Sequence, residues 1–526
     1  MALRTGDYMG RDNVSSAGME RDLVILGERL RERMLPFGWF ERLSSDSVRF
    51  VTDHAGSVPL YYAQEHNQVL AGKTPLEVFQ QMPQGTLDTV SVADFLLNGT
   101  VCYPYTLFKG IYVAPPGAVT DVTPLEVKST TYYRPKEQES NEPLAYWGAQ
   151  LRARVQQALL AGLEGKTNIK VLFSGGEDSR AIVSLLPKGL ECELVTFADS
   201  YNREVRLASH AARALDRHIS FIQRPHGFYR ENVRSRVRAI GGGFDIRHTH
   251  VWGRLAEPLK DAGVVFGGYA ADTLFKSAWM GNVEKNIKKI GPERLNPIGM
   301  GQPTGIKIAS AQDWLDPGVS AAVDARRLAH HERIQEFRPK SAGNWHTLWP
   351  LGSQRVAYAH YLAIRLACPE VVEPFLAPQV YELAARMPDE FRVDRKAFRA
   401  AFASPMGKAG WLLTSSGRIP RLGGYVGHWV QLGTVISRAL GDRATSVSAR
   451  MRGRMPINQG AWSNEHDVYR DDLSEALSES QLEGVRVLMN GILTAEEANE
   501  FFKPCGGAVP DLVRNRVVQV AYLVGD

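Results

Sequence analysis

The chain has 526 residues, 44% of them apolar and 23% charged, a balance that excludes a disordered, collagen-like or coiled-coil polypeptide and a length that suggests roughly two to four domains. Lys plus Arg is 62 against 57 for Asp plus Glu, too small an excess over this length to point to nucleic acid as a partner. No apolar run reaches membrane-spanning length, the first residues lack a signal-peptide core, and Cys102, Cys192, Cys368 and Cys505 form no CxxC. A cytoplasmic protein without a zinc or disulfide framework is expected.

Residues 1–20 are polar and unpatterned and read as a flexible arm. From Phe37 to about Tyr133, short apolar runs alternate with turn signals. SVRFVTD, SVPLYYAQ and HNQVLAG predict consecutive antiparallel strands. LFKGIYVAPPGAVTDVT continues them across Pro115, Pro116 and Gly117, while TPLEVFQQM and SVADFLLNG predict short helices. Residues 21–135 are therefore a β-rich first domain. The polar, proline-bearing stretch 136–143 is a linker.

A helix is expected from Leu144 to Gly162, and strand–helix alternation follows. IKVLF (169–173), CELVTF (192–197), HISFIQ (218–223) and GVVFGG (263–268) are apolar enough for buried parallel strands, with helices between them. Such alternation predicts a doubly wound α/β sheet within residues 144–526. Residues 277–345 are punctuated by glycine and proline and give no clear pattern. His346–Met387 predicts helix interrupted by prolines, and Leu473–Leu493 a further helix. Two basic runs, Lys285, Lys288 and Lys289, and Arg443, Arg450, Arg452 and Arg454, read as solvated surface. GMGQPTG (299–305) reads as a loop over the site.

The strongest chemical signal is VLFSGGEDSRA. A buried strand ends in a loop carrying Ser174, Gly175, Gly176, Asp178 and Ser179, and a helix begins at once. Glycines let backbone amides approach phosphate oxygens, and the helix N-terminus adds its dipole. No GK[ST] follows, so this is not a Walker A loop. A carboxylate inside a phosphate loop needs a cation, so Asp178 predicts Mg²⁺. His248 and His250 form an HxH pair without a further ligand cluster and read as structural. His330 and His331 are expected on a solvated helix face.

SGGxDS after a strand resembles the pyrophosphate loop of the N-type ATP pyrophosphatases, and the wider likeness is to the asparagine synthetase family. Its second loop, SGxGxDxxFxG, corresponds to FGGYAADTLFKS (266–277), and its PFL region to PEVVEPFLAPQVYELAARMP (369–388). TD.....PLYY in the first domain is similar to the family's glutaminase domain. The likeness covers roughly residues 48 to 425. It implies an adenine nucleotide alpha hydrolase-like α/β synthetase domain, preceded by a β-rich, Ntn-hydrolase-like α+β sandwich. It further implies that Phe173, Ser174, Gly175, Gly176, Asp178, Ser179, Val195, Gly267 and Gly268 bind ATP and pyrophosphate, with Phe173 and Val195 flanking adenine. Asp178 and Asp272 would hold Mg²⁺.

Three departures shape the functional expectation. Glutamine-using members carry cysteine after the initiator methionine, whereas position 2 here is Ala2. The first domain is therefore expected to be a degenerate glutaminase. Tyr269 stands where asparagine synthetases generally carry glutamate; β-lactam and carbapenam synthetases pair such a tyrosine with a glutamate that Glu370 matches. A Tyr269–Glu370 dyad would deprotonate an amine attacking an acyl-adenylate. The late family lysine has no clear match, with Lys408, Arg418 and Arg421 as candidates.

The resemblance thus implies an ATP- and Mg²⁺-dependent, AMP-forming amide ligase like the β-lactam synthetases and lasso-peptide cyclases. It would act on small-molecule or peptide carboxylate and amine substrates. Asparagine synthesis from free or partner-supplied ammonia and a catalytically inactive nucleotide-binding regulator are the alternatives. Neither nucleic acid nor membrane is implied as a partner; a homodimer or a protein from the same biosynthetic cluster is.

Overall fold

The computed structural model describes residues 30, 33–225, 227–231, 233–276, 309–351, 358–368, 370–451, 458–460, 479–494 and 511–524. The expected arm with Ala2, the run Lys285, Lys288 and Lys289, Arg452 and Arg454, and the loop 299–305 lie outside them.

The first region is an antiparallel sandwich. One sheet orders β1 (Gly38–Arg42), β2 (Val48–Thr52), β6 (Ala118–Val122) and β7 (Val127–Thr131); the other orders β4 (Gln68–Gly72), β3 (Tyr61–Glu65) and β5 (Tyr112–Val113). Alternation explains the packing. Val48, Phe50 and Val122 meet Leu60, Tyr62 and Val69 between the sheets. Tyr61, Ala63 and Leu70 point the other way, onto helix α2 (Thr89–Asn98), which follows the shorter α1 (Pro75–Phe79). Strands β1 and β7 escape the sequence reading because GWFER and VKSTT carry few apolar residues, and β7 is mostly exposed.

Helix α3 (Leu144–Leu163) leads into the second region. Its sheet is five-stranded and wholly parallel, in the order β10 (Ile219–Gln223), β9 (Cys192–Ala198), β8 (Ile169–Leu172), β11 (Val264–Phe266), β12 (Val371–Val372). Both faces are covered. Val264 and Phe266 enter the core that contains α3, α4 (Glu177–Leu185) and α5 (Arg203–Ala214), whereas Val265 enters a second cluster. Strand order reverses between β8 and β11, the point at whose carboxyl ends open α/β sheets take their ligands.

Two elements differ from expectation. The unpatterned stretch 277–345 contains a 19-residue helix, α8 (Pro317–Gln335), capped by Asp316 and begun by proline. Strand β12 lies within the stretch expected to be helical. It follows helix α9 (Tyr358–Ala367), and two residues are too short a run to announce a strand. Helices α10 (Pro378–Arg386), α11 (Lys396–Phe402) and α12 (Gly424–Met451) follow, then α13 (Glu479–Met489) and α14 (Asp511–Val524). Among the described residues no helix is long and apolar enough to cross a membrane.

Candidate active site

The first loop follows β8. Phe173 N donates to Val195 O at 2.8 Å, which keeps β8 and β9 joined up to the loop. Gly175 then turns with φ +68°, and a Cβ there would stand 2.6 Å from Ala208 Cα on α5, so only glycine fits. Gly176 is the N-cap of α4 and offers no side chain, leaving the first-turn amides uncapped by one. Ser174 Oγ accepts from Gly176 N at 3.2 Å, and Ser179 Oγ donates to Gly176 O at 3.4 Å. Open amides, a helix dipole and two hydroxyls suit an anion.

The second loop follows β11 at the next strand. A Cβ on Gly268 would lie 2.9 Å from Asp178 Cβ, and one on Gly267 would lie 2.1 Å from Glu373 Oε1. The missing side chains let this loop close on the first loop and on β12. Ala270 takes φ +70°, a strained conformation for a residue with a Cβ, and starts helix α7 (Ala271–Phe275). The Tyr269 ring stacks on Tyr361 at 5.5 Å between centroids and 2° between planes.

The expected partner of Tyr269 is corrected. Glu370 precedes β12 at the amino-terminal end of the parallel sheet, where it ion-pairs with Lys166 from the turn before β8. The carboxyl end of β12 instead delivers Glu373, whose Oε2 accepts from Tyr269 N at 2.8 Å. Glu373 is 2% exposed, and burial pushes its carboxyl up to about 8, against the opposing pull of the Tyr269 amide and Arg365. Arg365 donates from Nη1 to Tyr361 Oη at 3.1 Å.

Charge at the first loop is carefully divided. Glu177 is buried against Arg395, which with Asp394 holds a left-handed backbone conformation. Burial raises the Asp178 carboxyl, Lys276 pulls it down, and nearby Asp272 pushes it up. Two neighbouring carboxylates beside a loop suited to an anion are hard oxygen donors, and their mutual repulsion favours a cation, so Asp178 and Asp272 are residues that could hold Mg²⁺. Lys276 was absent from the sequence reading. It follows TLF directly, at a position that the second-loop pattern leaves open.

Of the late candidates, Arg418 is near enough to act on Asp178 and on Arg395. Lys408 is exposed, and Arg421 donates to Ser404 O at 3.3 Å and lies over Trp411. Arg180, also missed, is fully buried and donates to the carbonyls of Ala409, Leu412 and Leu413 at 2.7–2.8 Å. It ties α4 to the segment that carries Arg418. Phe173 and Val195 are each 1% exposed and sit in separate cores, so what they leave at the strand ends is backbone.

The histidines lie elsewhere. His250 Nδ1 is 3.2 Å from Tyr229 Oη, and among the described residues no group of three or more His, Cys, Asp or Glu side chains could hold a metal. His330 is not solvated as expected. It is 1% exposed, packs near Tyr103, and its Nε2 is 3.1 Å from Trp349 O, because α8 is clasped between α2 and the 342–349 turn.

Residues 150–406 match the family model described as asparagine synthase. No curated protein matches the chain significantly. The matched segment runs from α3 through both loops, Glu373 and Arg395. Through it residues 150–406 are identified as a domain of the asparagine synthase family.

Proposed function

We propose that this protein is an AMP-forming amide ligase that adenylates a carboxylate and transfers the acyl group to an amine other than ammonia. The observation that carries the reading is convergence. The SGGEDS loop, the second loop and Glu373 all emerge at the carboxyl ends of β8, β11 and β12, around the point where strand order reverses.

In this reading, a substrate carboxylate oxygen attacks the α-phosphorus of ATP, and the bond to the β-phosphate oxygen breaks. Pyrophosphate is received by the amides of residues 175–178 and the Ser174 and Ser179 hydroxyls. Mg²⁺, held by Asp178 and Asp272, would neutralise charge on the phosphates. The amine nitrogen then attacks the acyl carbon and AMP leaves. Glu373, buried and with its carboxyl raised to about 8, takes in its ionised form the proton that the nitrogen gives up, with the hydroxyl of Tyr269, stacked on Tyr361, as its partner in that transfer. A substituted amine needs such a placed base more than ammonia does, which favours it as the acceptor.

The first region is, in the same reading, a sandwich of glutaminase type that no longer releases ammonia. Cys102 is the only cysteine before residue 192, and it is buried with its Sγ at 3.6 Å from Arg326 O. Purified protein given glutamine, ATP and Mg²⁺ should release no glutamate above background; sustained release would refute this part.

The ligase reading is tested by exchange of labelled pyrophosphate into ATP across a panel of amino-acid, peptide and sugar-acid carboxylates. Exchange dependent on one class of acid, with AMP as the nucleotide product once an amine is added, is expected. ADP and phosphate as products would overturn it.

A further inference from the structure

Lys276 stands directly after α7, with its amide donating to Asp272 O at 3.2 Å. Its Nζ lies 2.5 Å from Asp178 Oδ1 and 3.9 Å from Glu177 Oε2, with 10% of the side chain exposed. The ammonium also sits 4.9 Å from the centroid of the Phe398 ring. Glu177 has its own buried partner in Arg395. The carboxylate that Lys276 covers is therefore Asp178, the acid of the SGGEDS loop, which Asp272 repels. A lysine here fills the position that a cation between Asp178 and a phosphate would take. Its four-carbon stem is flexible and its ammonium is a compact point charge, so it can exchange one oxygen partner for another without moving the backbone.

We propose that Lys276 has two successive partners in the ATP site. In the nucleotide-free protein it is the counter-ion of Asp178. When Mg²⁺ and nucleotide bind, it yields that carboxylate to the metal and turns its ammonium onto the phosphate oxygens that depart as pyrophosphate. No covalent bond changes in this step. The identity of the ligand rests on the ligase reading above; the exchange of partners rests on the geometry of Lys276.

The consequence is a pair of effects with opposite signs. Without nucleotide, Lys276 competes with Mg²⁺ for Asp178, so its removal should tighten binding of the bare ion. With pyrophosphate present it is a donor, so its removal should weaken binding of the complex. A lysine that only stabilised the fold would change both in the same direction or neither.

The test uses the full chain and calorimetric titration, with no turnover required. Mg²⁺ alone and Mg²⁺-pyrophosphate are each titrated into wild type, Lys276→Met and Lys276→Arg. For Lys276→Met, Mg²⁺ should bind several-fold more tightly and Mg²⁺-pyrophosphate about tenfold or more weakly, the loss expected of one charge-assisted contact. Lys276→Arg keeps the charge and should retain most of the pyrophosphate affinity. Should Lys276→Met fail to fold, Lys276→Gln supplies the same comparison. Unchanged pyrophosphate binding in the variant, or parallel weakening of both ligands, overturns the proposal and leaves the ligase reading standing. Failure of wild type to bind Mg²⁺-pyrophosphate or Mg²⁺-ATP at all defeats both.

Discussion

Glu370 and Glu373 sit on either side of a strand only two residues long, Val371–Val372, and strand direction decides their roles. At about 3.3 Å per residue, three positions are enough to move a carboxylate from one end of a sheet to the other. The sequence motif PEVVEPFL names both glutamates, and nothing in the spacing reveals which end faces Tyr269. What was legible is the strand–loop–helix geometry of SGGEDS, because glycines at a strand end followed at once by a helix permit few other structures. The burial of Glu373 has a measurable sign. Its carboxyl is raised from 4.5 to about 8. Between those values the folded protein keeps a proton that the unfolded chain releases, so this group makes stability fall as pH rises across the window and adds no further change above it. Glu373→Gln should remove that slope while its amide oxygen still accepts from Tyr269 N. Urea unfolding from pH 5 to 9 should show wild type losing a few kcal/mol more than the variant; coincident profiles would mean the carboxyl is not held neutral. In the ligation assay, product formation should rise with pH through about 8 as Glu373 ionises. Tyr269→Phe should keep pyrophosphate exchange and slow product formation about 10²–10⁴-fold, and product at the wild-type rate would remove Tyr269 from the second step.

Elements were legible where periodicity survived local composition. The parallel strands β8 to β11 announce themselves as apolar runs, and α3 by its helical spacing. Helix α8 was hidden by the glycine and proline around it, although Asp316 and Pro317 are a regular start signal, with Asp316 Oδ1 accepting from Gly318 N and Val319 N at 2.9 and 3.0 Å. The coupling between elements could not be read at all. Arg180 looks like one more helix residue after SGGEDS, yet its guanidinium ends on three carbonyls more than 200 positions away. Those bonds fix the first loop's helix to the segment that brings Arg418 near Asp178. Arg180→Met keeps the apolar stem and leaves three buried or part-buried carbonyls without their donor. A loss of about 3 kcal/mol or more is expected from that many unmet acceptors. Limited proteolysis should then cut within residues 407–423 faster than in wild type at equal fractions folded. An unchanged cleavage pattern would show that the segment is held without Arg180.

At the scale of the whole molecule, the first region is built into the ligase rather than appended to it. The TD of TDHAGSVPLYY has a structural task of its own. Asp53, 1% exposed, accepts from the amides of Phe37, Ala55 and Ser57 at 3.1, 3.2 and 2.9 Å, and so shapes the 53–57 turn. That turn receives Leu351 N at Ala55 O, 2.7 Å, and the Tyr358 hydroxyl at Ser57 O. Tyr358 lies one helical turn from Tyr361, the ring under Tyr269, so the sandwich braces the wall of the proposed acceptor site. Val51 and Val119 of the sandwich share one continuous core with Val171, Phe173 and Phe266 of the parallel sheet. A second joint is ionic. Asp94 on α2 pairs with Arg327 on α8 at 2.6 Å, with side chains 4% and 5% exposed, and also accepts from Cys102 N at 2.8 Å. Shared apolar packing and buried charge across the joint leave neither side a complete core, so the described regions should melt together. Calorimetry should give one transition whose van't Hoff and calorimetric enthalpies agree. Asp94→Ala leaves Arg327 buried without its anion and should cost about 3–5 kcal/mol, lowering that single transition rather than splitting it. If Asp94→Ala instead separates two transitions, one of them near the wild-type temperature, the sandwich folds on its own, and the ligase does not need it to hold Tyr269 in place.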